Sequence, residues 1–212
     1  MIGIICPSEF EAKALDRRAI GPRAALIVSG MGKIRALCAC AHLMATVQPL
    51  DGMLLVGFAG ALTNNLRIGD VIEPQTFIEY DYNAEPFEPF PHILRKRPQR
   101  RLLRESRLAV MLTQDRFLTS NPYGSGPEAV RYRTLACDME SYAVAYFCEQ
   151  ARVPYAVVKL ISDVADAHAD HDFLAACTRL APELNCLTVE ASARFQKSRA
   201  ARATKQGTAR RR

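Results

Sequence analysis

No stretch of this sequence approaches the roughly 18 to 20 consecutive apolar residues that a membrane-spanning helix needs. The longest candidate, "MLLVGFAGAL", is too short and is broken by glycine. The opening "MIGIICPSEFEAK" has no basic leader and turns acidic within ten residues, so no signal peptide is expected and a cytoplasmic protein is. The seven cysteines form no CxxC pair and no Cys/His zinc spacing. They fall mostly inside apolar runs and read as buried free thiols. No metal or organic cofactor is implied.

Acid is missing from one end only. From Arg194 to Arg212 there are eight basic residues and no carboxylate, although the whole chain carries just +6. The first 193 residues are therefore slightly acidic, and residues 196–212 are expected to form a basic, disordered tail with weak polyanion contacts. A second basic cluster, "RKRPQRRLLR" (Arg95 to Arg104), is expected to precede or begin a helix as a solvated face. Aromatic residues do not interleave with it, which argues against a base-stacking platform.

What is present is an ordinary globular composition, 49% hydrophobic and 24% charged over 212 residues, enough for one sizeable core. Short apolar runs alternate with helical patterns. "IGIIC", "AALIVSG", "GMLLVGF", "LAVMLT" and "AVVKLIS" read as buried strands, while "GKIRALCACAHLMATV" reads as a helix. "DVIEPQTFIEY" reads as extended, with Pro74 at an edge or a bulge. A final helix is expected from about Asp172 to Phe195, and "YDYNAEPFEPFPHILRKRP" as a long lid or subunit-contact loop. This alternation predicts one α/β domain over residues 1–195, with a mixed central sheet between helices. Ligands of such sheets bind at the carboxyl ends of the strands.

Acids gather at those ends. Glu9 and Glu11 follow the first strand, Asp138 and Glu140 a later one, and Asp163 follows "VVKLIS". Buried carboxyls are costly unless paired or employed. Two carboxyls of unlike environment are what cleavage of a glycosidic bond requires, one protonated and one ionised. Each acid also has a plainer reading. Asp138 or Glu140 can cap the helix that starts at "SYAVAYF", Asp163 can be an N-cap, and Glu11 a solvated first-turn residue.

The stretches "IGIICPSEFEAKAL", "VSGMGKIRA", "VGFAGALTNNLRIGDVI", "DMESYAVA" and "VPYAVVKLISDVAD" stand in an order that resembles the nucleoside phosphorylase/nucleosidase superfamily. The nearest likeness is to 5′-methylthioadenosine/S-adenosylhomocysteine nucleosidases. The resemblance implies a three-layer α/β/α fold and an N-ribosyl hydrolase acting on a 5′-modified adenine nucleoside. It makes Asp163 the general acid at the purine N7, beside Ser162, and Glu11 the activator of water. Glu140 would accept both ribose hydroxyls, with Met139 packed on the sugar and Asp138 as a brace. Phe117 would stack on the base and the Leu118 backbone read its edge, while Met31 and Phe173 would line the 5′-group. Core packing is the plainer reading of Phe117, Met31 and Phe173.

Phosphorolysis needs cationic and amide donors around an oxyanion. The loop "CPSEFEA" is acidic and lacks the arginine that phosphorylases of the superfamily carry, so water is the expected nucleophile. The alternatives are a purine nucleoside phosphorylase and a degenerate nucleoside-binding member without turnover. Phe58 stands where the nucleosidase pattern has a small serine, and Ser8 where a larger apolar residue is common. Both leave the 5′-substituent open among methylthio, homocysteinyl, futalosine-like and hopanoid-linked groups. The resemblance also implies a homo-oligomer, a dimer or hexamer, for which the apolar "AEPFEPFPHI" is the candidate contact.

Overall fold

In the computed structural model of the chain, residues 1–88, 92–96, 101–121, 131 and 134–209 are described, side chains up to residue 199. Among these residues eight strands form one mixed sheet. They are β1 (Ile2–Cys6), β2 (Ala24–Val28), β3 (Gly52–Ala61), β4 (Val71–Glu79), β5 (His92–Arg95), β6 (Arg107–Thr113), β7 (Leu135–Asp138) and β8 (Tyr155–Asp163). The path runs β2-β1-β3-β7-β6-β4-β5, and β8 fills the gap between β3 and β4. β1 and β8 both run parallel to β3, one on each side. The carboxyl ends of β1, β3 and β8 therefore emerge together.

Period-2 alternation sorts the strand side chains onto two faces. Ile5, Met53, Leu55 and Val157 join one core, whereas Ile2, Ile4, Leu54, Val56 and Val158 join the other. The first face is covered by α3 (Lys33–Thr46) and α4 (Ser141–Gln150). Ala36, Ala39, Cys40 and Leu43 supply the buried stripe of α3 at helical spacing. The second face is covered by α1 (Glu9–Ala12), α2 (Arg17–Ile20), α5 (Ala169–Arg179) and α6 (Ala181–Ala209). This is the expected three-layer α/β/α arrangement with a mixed sheet.

Four local expectations need correction. The segment read as one long loop contains β5, which pairs antiparallel with β4 through Phe77–Leu94 and Ile78–Ile93. Residues 97–100 of the basic cluster lie outside the described residues; of the rest, Arg95 ends β5 and residues 101–104 lead through a bend into β6, with no helix among them. The last helix is two, because Pro182 has no N–H to continue the ladder from α5 across Leu180. Finally, α6 runs on through Phe195 to Ala209, so the chain stays helical across the boundary placed at residue 195. Pro74 sits at a bulge, where the β4–β6 register shifts between Pro74 and Thr76. Cys6, Cys40, Cys137 and Cys148 are buried free thiols as expected, but Cys38 and Cys186 are exposed.

Candidate active site

The ten residues singled out in the sequence, Glu11, Met31, Phe58, Phe117, Leu118, Met139, Glu140, Ser162, Asp163 and Phe173, all line one open cavity. It lies at the carboxyl ends of β1, β3, β7 and β8, where α/β sheets place ligands.

Glu11 comes from α1. Ser8 caps that helix, accepting from the Glu11 N–H at 3.2 Å and donating its hydroxyl to Glu11 Oε2 at 2.6 Å. The spacing Ser8–Glu11 is the S-x-x-E signature of a helix start, a signal present in the sequence and not used. The other oxygen, Oε1, accepts the Phe58 backbone N–H at 2.7 Å. That approach needs Gly57, where a Cβ would stand 2.5 Å from Oε1. Glu11 is 3% exposed, so it is no solvated first-turn residue. Burial raises its pKa against the pull of Lys159, Ser8 and the Phe58 N–H.

The run Asp138-Met139-Glu140 divides its tasks. Asp138 caps α4, accepting from the Ser141 N–H at 3.1 Å and from the Ser141 hydroxyl, and from the Thr113 hydroxyl at 2.8 Å. Glu140 makes no cap bond and turns to the cavity, where its Oε1 accepts the Gly32 N–H at 2.9 Å. Beneath both lies Lys159, fully buried, with Nζ 3.1 Å from Asp138 and 3.6 Å from Glu140. Burial alone lowers the lysine pKa, but Asp138, Glu140 and Glu11 outweigh it and hold the ammonium charged. Burial in turn pushes Glu140 up to about 7, against the pull of Lys159. Lys159 was missed in the sequence. A lysine in the middle of the apolar run "AVVKLIS" was the available signal, since an unpaired charge there is prohibitive.

Asp163 ends β8 and is 4% exposed. Ser162 donates to its Oδ2 at 2.6 Å, and the Ala165 N–H donates to Oδ1 at 2.9 Å. Burial pushes its pKa up in spite of these donors, and Asp172 and Asp166 add to the rise. Gly60, just past the β3 bulge, leaves room for it, since a Cβ there would lie 2.8 Å from Oδ1. Two glycines of one strand thus admit two carboxylates.

Three rings form the apolar wall. Phe173 meets Phe58 edge-on at 6.1 Å and Phe117 at 5.9 Å. Phe58 is 5% exposed, whereas Phe117 is 37% exposed at the mouth, which excludes it as an ordinary core aromatic. Arg116 also lines the cavity, a second residue not singled out in the sequence. Among the described residues no cluster of three or more His, Cys, Asp or Glu is placed to hold a metal ion. No helix among them is long and apolar enough to cross a membrane.

Residues 2–194 match the family model described as the phosphorylase superfamily. The chain belongs to the phosphorylase superfamily. It is 26% identical over 162 residues, 68% of its own length and 70% of the relative's, to a 5′-methylthioadenosine/S-adenosylhomocysteine nucleosidase of Tolumonas auensis. The fold superposes with a TM-score of 0.73 on the nucleosidase of that name from Colwellia psychrerythraea, solved in complex with adenine, at 21% identity over 92% of this chain and 95% of that one. It also resembles futalosine hydrolase of Helicobacter pylori, with a TM-score of 0.67 at 20% identity over 95% of this chain and 97% of that one. The expected membership of the nucleoside phosphorylase/nucleosidase superfamily is thereby borne out.

Proposed function

We propose that this protein hydrolyses the N-glycosidic bond of a 5′-modified adenine nucleoside, with water as the nucleophile. The observation that carries the reading is the convergence of Glu11, Glu140 and Asp163 on one cavity from three different strand ends, each in a different hydrogen-bonding environment. Asp163, raised by burial, keeps a proton for N7 of the purine, and protonation makes adenine a neutral leaving group. Glu11 has each oxygen held by a single donor, Ser8 or the Phe58 N–H, and so keeps acceptor capacity for the attacking water. Glu140 accepts the 2′- and 3′-hydroxyls while Lys159 sustains its charge. Met139 packs on the sugar, Phe117 stacks on the base beside the Leu118 backbone, and Met31 and Phe173 line the 5′-group.

Water is favoured over phosphate by charge. With Asp163 protonated, the cavity lining carries Glu11, Asp138 and Glu140 as carboxylates against Arg116, and the buried Lys159 is committed to two of them. A phosphate dianion entering there meets net repulsion. A relative is named for 5′-methylthioadenosine and S-adenosylhomocysteine and a structural neighbour for futalosine, so methylthio, homocysteinyl and futalosine-like 5′-groups are all candidates. Adenine release from 5′-methylthioadenosine, measured with and without phosphate, tests the reading. Release that requires phosphate would replace it with a phosphorylase, and binding without release with a degenerate member.

A further inference from the structure

The helix α3 starts at Gly32, a residue with φ +103 and no side chain to cap the N–H groups of the first turn. The cap comes from a distant part of the chain. Asp115, in the loop after β6, accepts the Lys33 N–H on Oδ1 at 2.7 Å. A Cβ on Gly32 would stand 3.0 Å from that same oxygen, so glycine admits the carboxylate. Asp115 is itself tied down. Its own N–H donates at 2.6 Å to Asp81 Oδ2, in the loop after β4. The other Asp81 oxygen accepts from the Lys33 ammonium, which also donates to Glu79 at 2.8 Å. Lys33, Asp115 and Asp81 thus close a ring that joins three segments, one after β2, one after β4 and one after β6.

Two of these segments carry walls of the nucleoside cavity. Met31 precedes Gly32, and Arg116, Phe117 and Leu118 follow Asp115 directly. Gly32 also donates its N–H to Glu140 Oε1 at 2.9 Å. Asp115 therefore holds the residue next to the donor that orients Glu140, and it stands two residues before the ring at the cavity mouth. Asp115 and Asp81 are exposed, and charge pairs in such places contribute little to folding. A shift of about 1 Å in a group that positions substrate, by contrast, costs about 10² in rate.

We propose that Asp115 is a positioning residue for the reaction, fixing the loop that carries Phe117 against the segment that orients Glu140. This role rests on the nucleosidase reading of the cavity. Glu140 faces Lys159 and the Gly32 N–H, which favour its ionised form, and Asp138 and Glu11, which oppose it. The nearby Cys6 thiol is pushed up by burial and stays neutral. Loosening Gly32 removes one of the two favourable partners, so ionisation of Glu140 moves to higher pH. A cap that only held α3 in place would leave that ionisation where it is.

The test is the pH dependence of kcat and KM for adenine release from 5′-methylthioadenosine, with denaturant unfolding alongside. The parent, Asp115→Ala, Asp115→Asn and Asp81→Ala chains are compared. Asp115→Ala should lower kcat/KM by about 10², mainly through KM, and displace the acid limb to higher pH. Its unfolding midpoint should stay close to the parent's. Asp115→Asn keeps an oxygen for the Lys33 N–H and should restore both KM and the limb. Asp81→Ala opens the ring on its far side and should give a smaller change in the same direction, which keeps the test alive if Asp115→Ala fails to fold. Parental KM and an unmoved limb in Asp115→Ala and Asp81→Ala would overturn the proposal, as would Asp115→Asn failing as badly as Asp115→Ala. A parent that releases no adenine defeats the nucleosidase reading instead. Calorimetric binding of the same nucleoside then reads the ring, with Asp115→Ala expected to bind about tenfold more weakly. Affinity unchanged by that substitution, or no binding by the parent, would overturn the positioning role as well.

Discussion

The Lys159 ammonium lies 3.6 Å from the Glu140 carboxylate, and both side chains are buried. The same ammonium lies 3.1 Å from Asp138, so one cation serves the residue that caps α4 and the one that faces the cavity. Removing it would leave two buried carboxylates uncompensated. Lys159→Met should therefore lose about 3–5 kcal/mol of stability by chemical denaturation. Surviving protein should show a raised KM, since a protonated Glu140 no longer accepts both ribose hydroxyls at once. A variant as stable as the parent would contradict this account.

The same pair sets a pH dependence. Glu140 titrates at about 7 in the folded chain, above the ordinary glutamate range. Between that range and pH 7 the unfolded chain has released a proton that the folded chain keeps. Glu140's contribution to stability thus falls as pH rises through this window. Activity moves oppositely, because binding ribose needs the carboxylate. The profile of kcat/KM should show an acid limb near pH 7 as Glu140 ionises. Glu140→Gln should move the acid limb. A profile unchanged by that substitution would refute the assignment.

Phe58 is the lever on specificity. Its ring meets Phe173 edge-on, while its backbone N–H holds Glu11. Phe58→Ala keeps that N–H and removes the ring, at a stability cost of about 3–5 kcal/mol. The enlarged cavity should raise kcat/KM for bulky 5′-groups relative to methylthio. An unchanged ratio would remove Phe58 from the 5′-pocket.

Phe87 is 90% exposed in the apolar segment proposed as a subunit contact. Phe87→Asp should shift the chain to a smaller species in sizing experiments, and no shift would discard the segment as an interface.

β1, β3 and β8 were readable because they are buried along their whole length, and such strands show as nearly continuous apolar runs. β5 was not, because "HILR" has four residues beside prolines, and its pairing with β4 is a tertiary fact. The split at Leu180 was hidden by a helical pattern that persists across Pro182. The site was legible as a motif order, and all ten residues do share one cavity. Lys159 escaped because charge in a strand has meaning only once its partners, 21 and 19 residues upstream, are seen to surround it. The glycines behind Glu11 and Asp163 were invisible for the same reason. Close approach is not a property of sequence.

The central claim is hydrolysis by an acid at Asp163 and a water held at Glu11. The most direct measurement is adenine release from 5′-methylthioadenosine by the parent, Asp163→Asn and Glu11→Gln chains, with and without phosphate. The account predicts phosphate-independent release by the parent and losses of about 10² to 10⁴ in kcat for each variant, with nucleoside binding retained. Full rate in Asp163→Asn, or release only when phosphate is present, would contradict it.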